Sequence, residues 1–162
     1  MLNTIDEACY SREQCERLVE NVKNSTSDND IINRDWLLID VDPKRATGVS
    51  ASNEEKANSK ETINRVYGFL RDFGFSEPIV ADSGNGYHLL YKINCENNNE
   101  NNETLQKVLQ VLDMYFSNEI CEIDKSVFNA ARITKLYGTT ARKGNSSEQR
   151  PHRESKILRR LS

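Results

Sequence analysis

The sequence predicts an α+β fold in which an antiparallel sheet carries two helices on one face. Three observations lead to this prediction: a mostly apolar strand at 36–41, two apolar runs around the tight turn 83–86, and helical patterns at 54–73 and 104–116. A strand-like run at 131–137 completes the order β-α-β-β-α-β. That order is the split βαβ, ferredoxin/RRM-like arrangement, which leaves the second face of the sheet free for chemistry.

The first strand and the first helix have clear boundary signals. The strand at 36–41 is followed by Pro43, as suits the end of a buried strand. Ser52 with Glu55 three residues later is the pattern of a capping box at a helix start. Gly74 favours the end of this helix, because glycine readily adopts the left-handed conformation that stops a helix.

Turn residues and polar runs place the remaining elements. A Ser-Gly-Asn-Gly turn between apolar runs at 78–81 and 87–93 favours a hairpin. The low-complexity polar run 94–103 predicts a loop before the second helix. Residues 5–24 show a moderate helical pattern, which predicts an N-terminal helix.

A chain of 162 residues suits one domain. We expect an N-terminal helical extension over 1–34, a central catalytic unit over 35–144 and a basic tail over 145–162. No apolar run approaches the ~20 residues of a membrane helix, and the polar N-terminus is unlike a secretory signal. We therefore expect a cytoplasmic protein with no membrane partner. The four cysteines lack the Cys-x2-Cys spacing of zinc sites and are expected to be reduced thiols.

Charge is distributed unevenly along the chain. From Arg132 to the end there are nine basic and two acidic residues, a net charge of +7, whereas the preceding residues carry −10. A basic stretch beside an acidic body is typical of a phosphate-binding tract next to a metal-binding carboxylate cluster. A solvated basic tail would give the same composition, so the choice between these two interpretations depends on the individual motifs.

Asp40 and Asp42 end the first strand with an Asp-x-Asp pattern. Residues i and i+2 of a strand share a face, so the two carboxylates project together. Their mutual repulsion is relieved by a bound divalent cation, and oxygen ligands suit Mg²⁺ or Mn²⁺. An isolated Asp-x-Asp is also common as a surface acidic pair.

The turn from Ser83 to His88 follows the strand and its helix. Its glycines allow backbone amides to approach an anion closely, and the serine and histidine side chains can donate hydrogen bonds to phosphate oxygens. A plain hairpin with a structural histidine is the alternative interpretation.

Two later segments could complete a site. Asp124 precedes the last predicted strand, whose neighbour in the split βαβ sheet is the strand that carries Asp40 and Asp42. Arg132 and Lys143 bracket a Gly-Thr turn, and an arginine fork with a lysine point charge suits a triphosphate. Taken singly, a turn aspartate and ordinary surface basicity explain these residues equally well.

The ordered set over 36–144 resembles the archaeo-eukaryotic primase superfamily, particularly its prim-pol (bifunctional DNA primase/polymerase) members from phages, plasmids and other mobile elements. That family has an Asp-x-Asp motif, a serine–histidine motif and a single strand aspartate, followed by an arginine, a Gly-Thr and a lysine. The matching residues here are Asp40, Asp42, Ser83, His88, Asp124, Arg132, Gly138, Thr139 and Lys143.

The resemblance implies a palm domain that performs template-directed nucleotidyl transfer with two Mg²⁺ or Mn²⁺ ions. Asp40, Asp42 and Asp124 would be the catalytic residues and metal ligands. The incoming nucleoside triphosphate would be bound by Ser83, His88, Arg132, Thr139 and Lys143. Single-stranded DNA template and primer are the expected partners, with the template on the basic residues Arg150, Arg153, Lys156, Arg159 and Arg160.

The chain departs from the family in three respects. It reads Leu-Tyr-Gly-Thr at 136–139, where prim-pols typically have Leu-Pro-Gly-Thr. Only about 35 residues precede the first strand, and no helicase or zinc module follows. The chain could therefore be a catalytic fragment of a larger replication protein with a helicase or another replication domain.

Two other function classes compete with this interpretation. One is a non-catalytic, RRM-like module that binds single strands and initiates replication, with bases stacked on Tyr87, Tyr91 and Tyr137. The other is a metal-dependent nuclease. A pure binder has no use for carboxylates that face phosphates, and dependence on nucleoside triphosphates separates a polymerase from a nuclease.

Overall fold

The fold is centred on one long strand, β2, which spans Ile31–Pro43. The computed structural model describes residues 2–12, 20 and 25–158. The other elements are β1 (Thr4–Ile5), α1 (Asn53–Asp72), β3 (Ile79–Asp82), β4 (Tyr87–Glu96), α2 (Asn99–Phe116), β5 (Cys121–Ile123), β6 (Thr140–Ala141), β7 (Arg153–Glu154) and β8 (Lys156–Leu158). Short 3₁₀ turns lie at Glu7–Ser11, Asp28–Asp30 and Lys125–Phe128.

The main sheet is antiparallel and confirms the predicted α+β, split βαβ fold. β2 pairs with β4 along one edge, and β1 and β5 pair with opposite ends of its other edge. β3 lies outside β4, and β8 lies outside β3. The chain order β2-α1-β3-β4-α2-β5 therefore gives the spatial order β5-β2-β4-β3. β6 and β7 form a separate two-stranded ribbon.

Both helices contribute to one apolar core against a single face of the sheet. The members of that core with no more than 1% exposure include Ile39, Val41, Ile63, Val66, Leu89, Tyr91, Leu109 and Leu112. Asp40 and Asp42 flank Val41 on β2. Because strand side chains alternate, both aspartates point to the opposite face of the sheet, which we call the open face.

Helix caps explain where the helices begin. Ser52 Oγ accepts from the amide of Glu55 at 3.1 Å, and the Glu55 carboxylate accepts from the amide of Ser52 at 2.9 Å, which confirms the capping box. α2 begins earlier than predicted, because Asn98 caps it by accepting from the amide of Asn101 at 2.9 Å. The predicted loop at 94–103 is thus the end of β4 and the first turn of α2, since asparagine serves as readily in a cap as in a loop.

The last strand of the split βαβ unit is β5 and not the predicted run 131–137. Cys121 and Ile123 are buried against β2 and Glu122 between them is exposed, so β5 alternates as a strand should. Three residues are too few for that alternation to be recognised in a sequence. The run 131–137 is irregular, and two of its apolar side chains, Ile133 and Leu136, are 72% and 76% exposed.

The N-terminal part also differs from the prediction. Residues 2–12 contain β1 and a 3₁₀ turn, and β2 starts at Ile31, so the predicted boundary at residue 34 falls inside a strand. Residues 13–19 and 21–24 of the predicted N-terminal helix lie outside the described part of the chain. Cys9, Cys95 and Cys121 form no disulfide within the described residues, and Cys15 lies outside them. No described helix has the length and apolarity needed to cross a membrane.

Residues 145–158 are folded onto the domain and do not form a free basic tail. The Arg150 guanidinium donates to both carboxylate oxygens of Glu55, at 2.7 and 2.6 Å, and to the carbonyl of Ser50 at 2.8 Å. Arg153 donates to the carbonyl of Ala51 and to Asn53 Oδ1, both at 2.7 Å. These contacts fasten the segment to the N-terminal end of α1 before it continues into β8. Arg159 and Arg160 lie outside the described residues.

We predict that Arg150→Ala lowers stability by about 1 kcal/mol, because a charge-assisted pair that is partly exposed contributes about that much. Hydrogen bonds from Arg150 hold the pKa of Glu55 below its ordinary value. The contribution is therefore present above the unfolded pKa of Glu55 and is lost as pH falls through its lower folded pKa. Urea unfolding from pH 7 to pH 3 should show a shallower decline in the variant than in the wild type.

The matched control is Arg71→Ala. Arg71 pairs with Asp72 at 3.1 Å, but both side chains are more than half exposed. Its loss should leave both the stability and its pH dependence nearly unchanged. Equal behaviour of the two variants would contradict a structural role for Arg150.

Candidate active site

A cavity of about 380 Å³ lies on the open face, between the ends of β2 and β4 and the irregular segment that follows β5. The structure brings seven of the site residues proposed from the sequence to its wall. They are Asp40, Asp42, Ser83, His88, Asp124, Arg132 and Lys143. Residues as far apart in the chain as Asp40 and Lys143 therefore border one space.

Asp40 and Asp42 form the acidic side of the cavity. Asp40 lies opposite His88 in the β2–β4 ladder, and Asp40 Oδ1 is 3.3 Å from His88 Nε2. That contact lacks the alignment of a hydrogen bond, so Asp40 Oδ1 is buried without a hydrogen-bond partner among the described residues. Burial and the charge of Asp40 raise the pKa of Asp42, against the opposing effects of Arg45 and Lys143.

Asp124 follows β5 and borders the same cavity. Its amide donates to the carbonyl of Asp40 at 3.0 Å, which fixes its position beside the first carboxylate. Its Oδ1 accepts from the amide and the hydroxyl of Ser126, at 2.8 and 2.7 Å, and so caps the 3₁₀ turn after β5. One oxygen of Asp124 is therefore already committed to local structure.

The arrangement of Asp40 and Asp42 suits a bound divalent cation, because without a ligand it is unfavourable. A buried carboxylate oxygen without a partner, next to a second carboxylate whose pKa is raised, costs free energy that a bound cation would offset. Within the described ranges, no three Asp, Glu, His or Cys side chains are already grouped as a metal cage. A cation at this place would be held by Asp40 and Asp42, and by Asp124 only if its carboxylate turned toward the pair.

The turn between β3 and β4 packs directly on the end of β2. Gly86 donates to Ser83 Oγ at 2.9 Å, and Ser83 donates to the carbonyl of Gly86 at 3.1 Å. A Cβ at Gly86 would overlap the carbonyl oxygen of Val41 and come within 2.5 Å of Asp42 Oδ1, so only glycine allows this approach. Because Ser83 Oγ accepts from Gly86, its own hydroxyl proton remains available to a ligand in the cavity.

A buried ion pair anchors this turn to α1. Lys56 Nζ lies 2.5 Å from Asp82 Oδ1 and donates to the carbonyl of Gly84 at 3.2 Å. Asp82 Oδ1 also accepts from the amide of Gly84 at 2.7 Å. Burial lowers the pKa of Lys56, and Asp82 opposes that shift. Sequence reasoning missed this pair because 26 residues separate its members and neither belongs to a motif.

His88 is held between two side chains. Its Nδ1 is 2.7 Å from the hydroxyl of Tyr137, on the opposite edge of the imidazole from the 3.3 Å contact with Asp40. His88 itself is only 4% exposed. The ring is therefore fixed in place, with Nε2 on the side of the acidic pair.

Arg132 and Lys143 bring positive charge to the same cavity that the carboxylates line. Lys143 Nζ is 4.0 Å from Asp42 Oδ2, and Arg132 donates to the hydroxyl of Ser126 at 3.1 Å. Arg45, which the sequence analysis overlooked, lies 3.4 Å from Asp42 and also donates to the carbonyls of Pro43 and Val49. Its position three residues after Asp42 is the signal that could have identified it.

Other predicted site residues lie elsewhere. Thr139 is not among the residues that line the cavity, and its hydroxyl donates to the carbonyl of Leu136 at 2.6 Å. Arg150 and Arg153 are engaged at the start of α1, as described above. Lys156 is exposed on β8, opposite Asp82 of β3. Asn85 lines the cavity without having been predicted, and it accepts from the amide of Ala51 at 2.8 Å.

Comparisons with known proteins give one distant structural likeness. No protein-family model matches the sequence, and no curated protein matches it. The polymerase domain of ligase D from Mycobacterium tuberculosis, solved in complex with DNA, is similar over 84% of this chain, with 17% identity and a TM-score of 0.47. The match spans 48% of that chain, so this protein corresponds to about half of its length. The function must therefore be argued from the residues of the present chain.

We predict that Asp40→Asn raises the melting temperature of the metal-free protein at pH 8 by a few degrees. The variant removes one of two neighbouring, partly buried charges, and roughly 1 kcal/mol corresponds to about 2–4 °C in a domain of this size. The same variant should lose the increase in melting temperature that Mn²⁺ gives the wild type. Thermal unfolding with and without Mn²⁺ measures both effects.

Asp72→Asn is the control for this experiment, because Asp72 is an exposed carboxylate on α1, outside the cavity wall. It should retain the full response to Mn²⁺. A wild-type response that persists in Asp40→Asn would remove the acidic pair from consideration as a metal site.

Proposed function

We propose that this chain is a primase-polymerase catalytic domain, a nucleotidyltransferase that extends a nucleic-acid strand on a single-stranded DNA template. The observation that carries the proposal is the buried Asp40 oxygen that accepts no hydrogen bond from the described residues, in a cavity that Asp42, Arg132 and Lys143 also line. A cation on the carboxylates and a polyphosphate on the basic side chains would satisfy both kinds of charge at once.

Each side chain in the cavity has a role in this proposal. Asp40 and Asp42 would hold two divalent ions, Mg²⁺ or Mn²⁺, and Asp124 would be the third ligand once its carboxylate turned toward the pair. When bound, such ions lower the pKa of a primer 3′-hydroxyl and neutralise the departing pyrophosphate. Ser83 and His88 donate hydrogen bonds to the triphosphate of the incoming nucleotide.

The basic side of the cavity supplies charge and orientation. Lys143 and Arg132 neutralise the triphosphate, and the rigid anchoring of the 83–86 turn keeps the hydrogen-bond donors in place before the nucleotide arrives. Thr139 contributes through its turn, since its hydroxyl is used within the protein. Of the basic residues assigned to the template, exposed Lys156 keeps that role most readily, whereas Arg150 and Arg153 serve the fold.

The single-strand-binding alternative is weakened by burial of its proposed stacking residues. Tyr87 and Tyr91 are 7% and 1% exposed and belong to the core. Tyr137 is half-buried, and its hydroxyl is bonded to His88. None of the three offers an exposed ring to a base, whereas an RRM-like surface depends on such rings.

The decisive experiment is extension of a labelled primer on a DNA template with Mg²⁺ or Mn²⁺, with nucleotides present and absent. We expect nucleotide-dependent extension by the wild type and a loss of at least about a hundredfold in Asp42→Asn, because a ligand to the catalytic metal would be removed. Shortening of the primer without nucleotides would identify a nuclease. Binding of single strands with no product of either kind would identify a replication-initiation module.

Nucleotide binding should separate from template binding in His88→Ala. We predict a nucleotide affinity lower by about threefold to tenfold, the effect of one lost hydrogen bond or slightly more, with template affinity nearly unchanged. Direct titration with a nucleoside triphosphate and Mn²⁺, and separately with a single-stranded oligonucleotide, tests this. Lys92→Met is the control, because Lys92 is exposed on β4 but outside the cavity wall. Equal nucleotide affinities in all three proteins would return His88 to a structural role.

A further inference from the structure

Residues 136–139 form a tight turn with an unusual second residue. The amide of Thr139 donates to the carbonyl of Leu136 at 3.3 Å, and Gly138 has φ +93° while Tyr137 is not among the residues with positive φ. Glycine with positive φ in third place is the pattern of a type II turn, which favours proline in second place. This chain has Tyr137 there. The turn therefore lacks the rigid ring of proline and carries a side chain with a hydroxyl.

The turn is held by other contacts that make the proline dispensable. Ser155, which is fully buried between β7 and β8, donates through its amide and hydroxyl to the carbonyl of Thr139, at 2.9 and 2.8 Å. The amide of Gly138 donates to the carbonyl of Ser155 at 2.6 Å. The amide of Tyr137 makes no hydrogen bond in the described structure. The position therefore tolerates either residue, and the tyrosine side chain needs another explanation.

We propose that Tyr137 is the positioning residue of His88: its hydroxyl donates to Nδ1 and so directs the protonated Nε2 toward the cavity. The hydroxyl–Nδ1 distance is 2.7 Å, and the two rings meet edge to face, with centroids 5.8 Å apart. The hydrogen bond between Tyr137 and His88 is a feature of the fold alone. Its effect on nucleotide affinity rests on the proposed function.

The direction of the hydrogen bond follows from the two neighbours of the imidazole. A carboxylate 3.3 Å from Nε2 disfavours a lone pair at that nitrogen, so in the neutral ring the proton is on Nε2. Nδ1 is then an acceptor, and the phenol of Tyr137 lies 2.7 Å from it. Burial raises the pKa of Tyr137 to about 12, so the phenol retains its proton over the ordinary pH range.

Tyr137 matters most when Asp40 is engaged elsewhere. If Asp40 bound a cation, its carboxylate charge would be neutralised and would no longer favour a proton on Nε2 of His88. Tyr137 contacts the other edge of the ring and lies outside the cavity wall, so its hold on His88 persists. His88 then enters the complex with Nε2–H already aimed at a phosphate oxygen, and less entropy is lost when the ligand binds.

The test compares the full chain with Tyr137→Phe, Tyr137→Pro and Tyr91→Phe. Tyr91 is a buried tyrosine on the core side of β4 whose hydroxyl has no hydrogen-bond partner among the described residues, so its variant controls for the loss of a hydroxyl. Tyr137→Pro restores the favoured turn residue and removes the hydroxyl, which separates the turn from the hydrogen bond.

The first measurement is ¹⁵N NMR of the histidine side chains in the metal-free proteins at about pH 9, well above the ordinary histidine pKa of about 6.5. The chain has two histidines, so His152→Gln assigns the signals. We expect a proton on Nε2 of His88 and none on Nδ1, and a shifted Nδ1 resonance in Tyr137→Phe and Tyr137→Pro but not in Tyr91→Phe. An Nδ1 resonance that is the same in all four proteins overturns the proposal.

The second measurement is titration with a nucleoside triphosphate and Mn²⁺. We expect affinity about threefold to tenfold lower in both Tyr137 variants and unchanged in Tyr91→Phe. If the wild type binds and both Tyr137 variants bind equally well, Tyr137 does not position His88 for the ligand and the proposal fails. If the wild type binds no nucleotide while the NMR shift is present, the proposed function fails and the positioning of His88 stands.

Discussion

The structure depends on the cost of holding two carboxylates side by side on one strand. Asp40 and Asp42 are placed together by the alternation of β2, and both are partly buried, with side chains 24% and 32% exposed. Two such charges destabilise a fold unless cations or donors surround them. Arg45 and Lys143 lie 3.4 and 4.0 Å from Asp42, but Asp40 Oδ1 accepts no hydrogen bond from the part of the chain that the structure describes. The protein thus tolerates an unfavourable arrangement at the place where a ligand would correct it, which is typical of functional sites.

The neighbouring elements are arranged around that pair. β4 brings His88 next to Asp40, and the absence of a side chain at Gly86 lets the β3–β4 turn reach the end of β2. Lys56 secures the turn from α1, and the amide of Asp124 secures β5 through the carbonyl of Asp40. Contacts to backbone groups of β2 and of the β3–β4 turn therefore fix the geometry of the cavity.

Features that depend only on residues close together in the sequence were predicted correctly. The capping box at Ser52, the shared face of Asp40 and Asp42, and the hairpin that carries His88 follow from local periodicity and turn chemistry, and the structure agrees with each. Contacts between distant residues were beyond such patterns. Arg150 was assigned to a template from its charge alone, because a run of basic residues does not show that Glu55, 95 positions earlier, is the partner of one member. β5 was missed because it has only three residues.

Tyr137 illustrates how a departure from a family pattern becomes interpretable only in three dimensions. In the sequence, a tyrosine in place of proline weakens the resemblance. In the structure, the turn is secured by Ser155 and the amide of Gly138, so its stability no longer requires the rigid ring. The side chain of Tyr137 can therefore contact His88, which is 49 residues earlier in the sequence. The segment from Tyr137 to β8 thus links the cavity to the edge of the sheet, because the strand that follows Ser155 pairs with β3, whose end begins the Ser83 turn. A contact that orients His88 is in this way tied to the same backbone that holds the opposite side of the cavity.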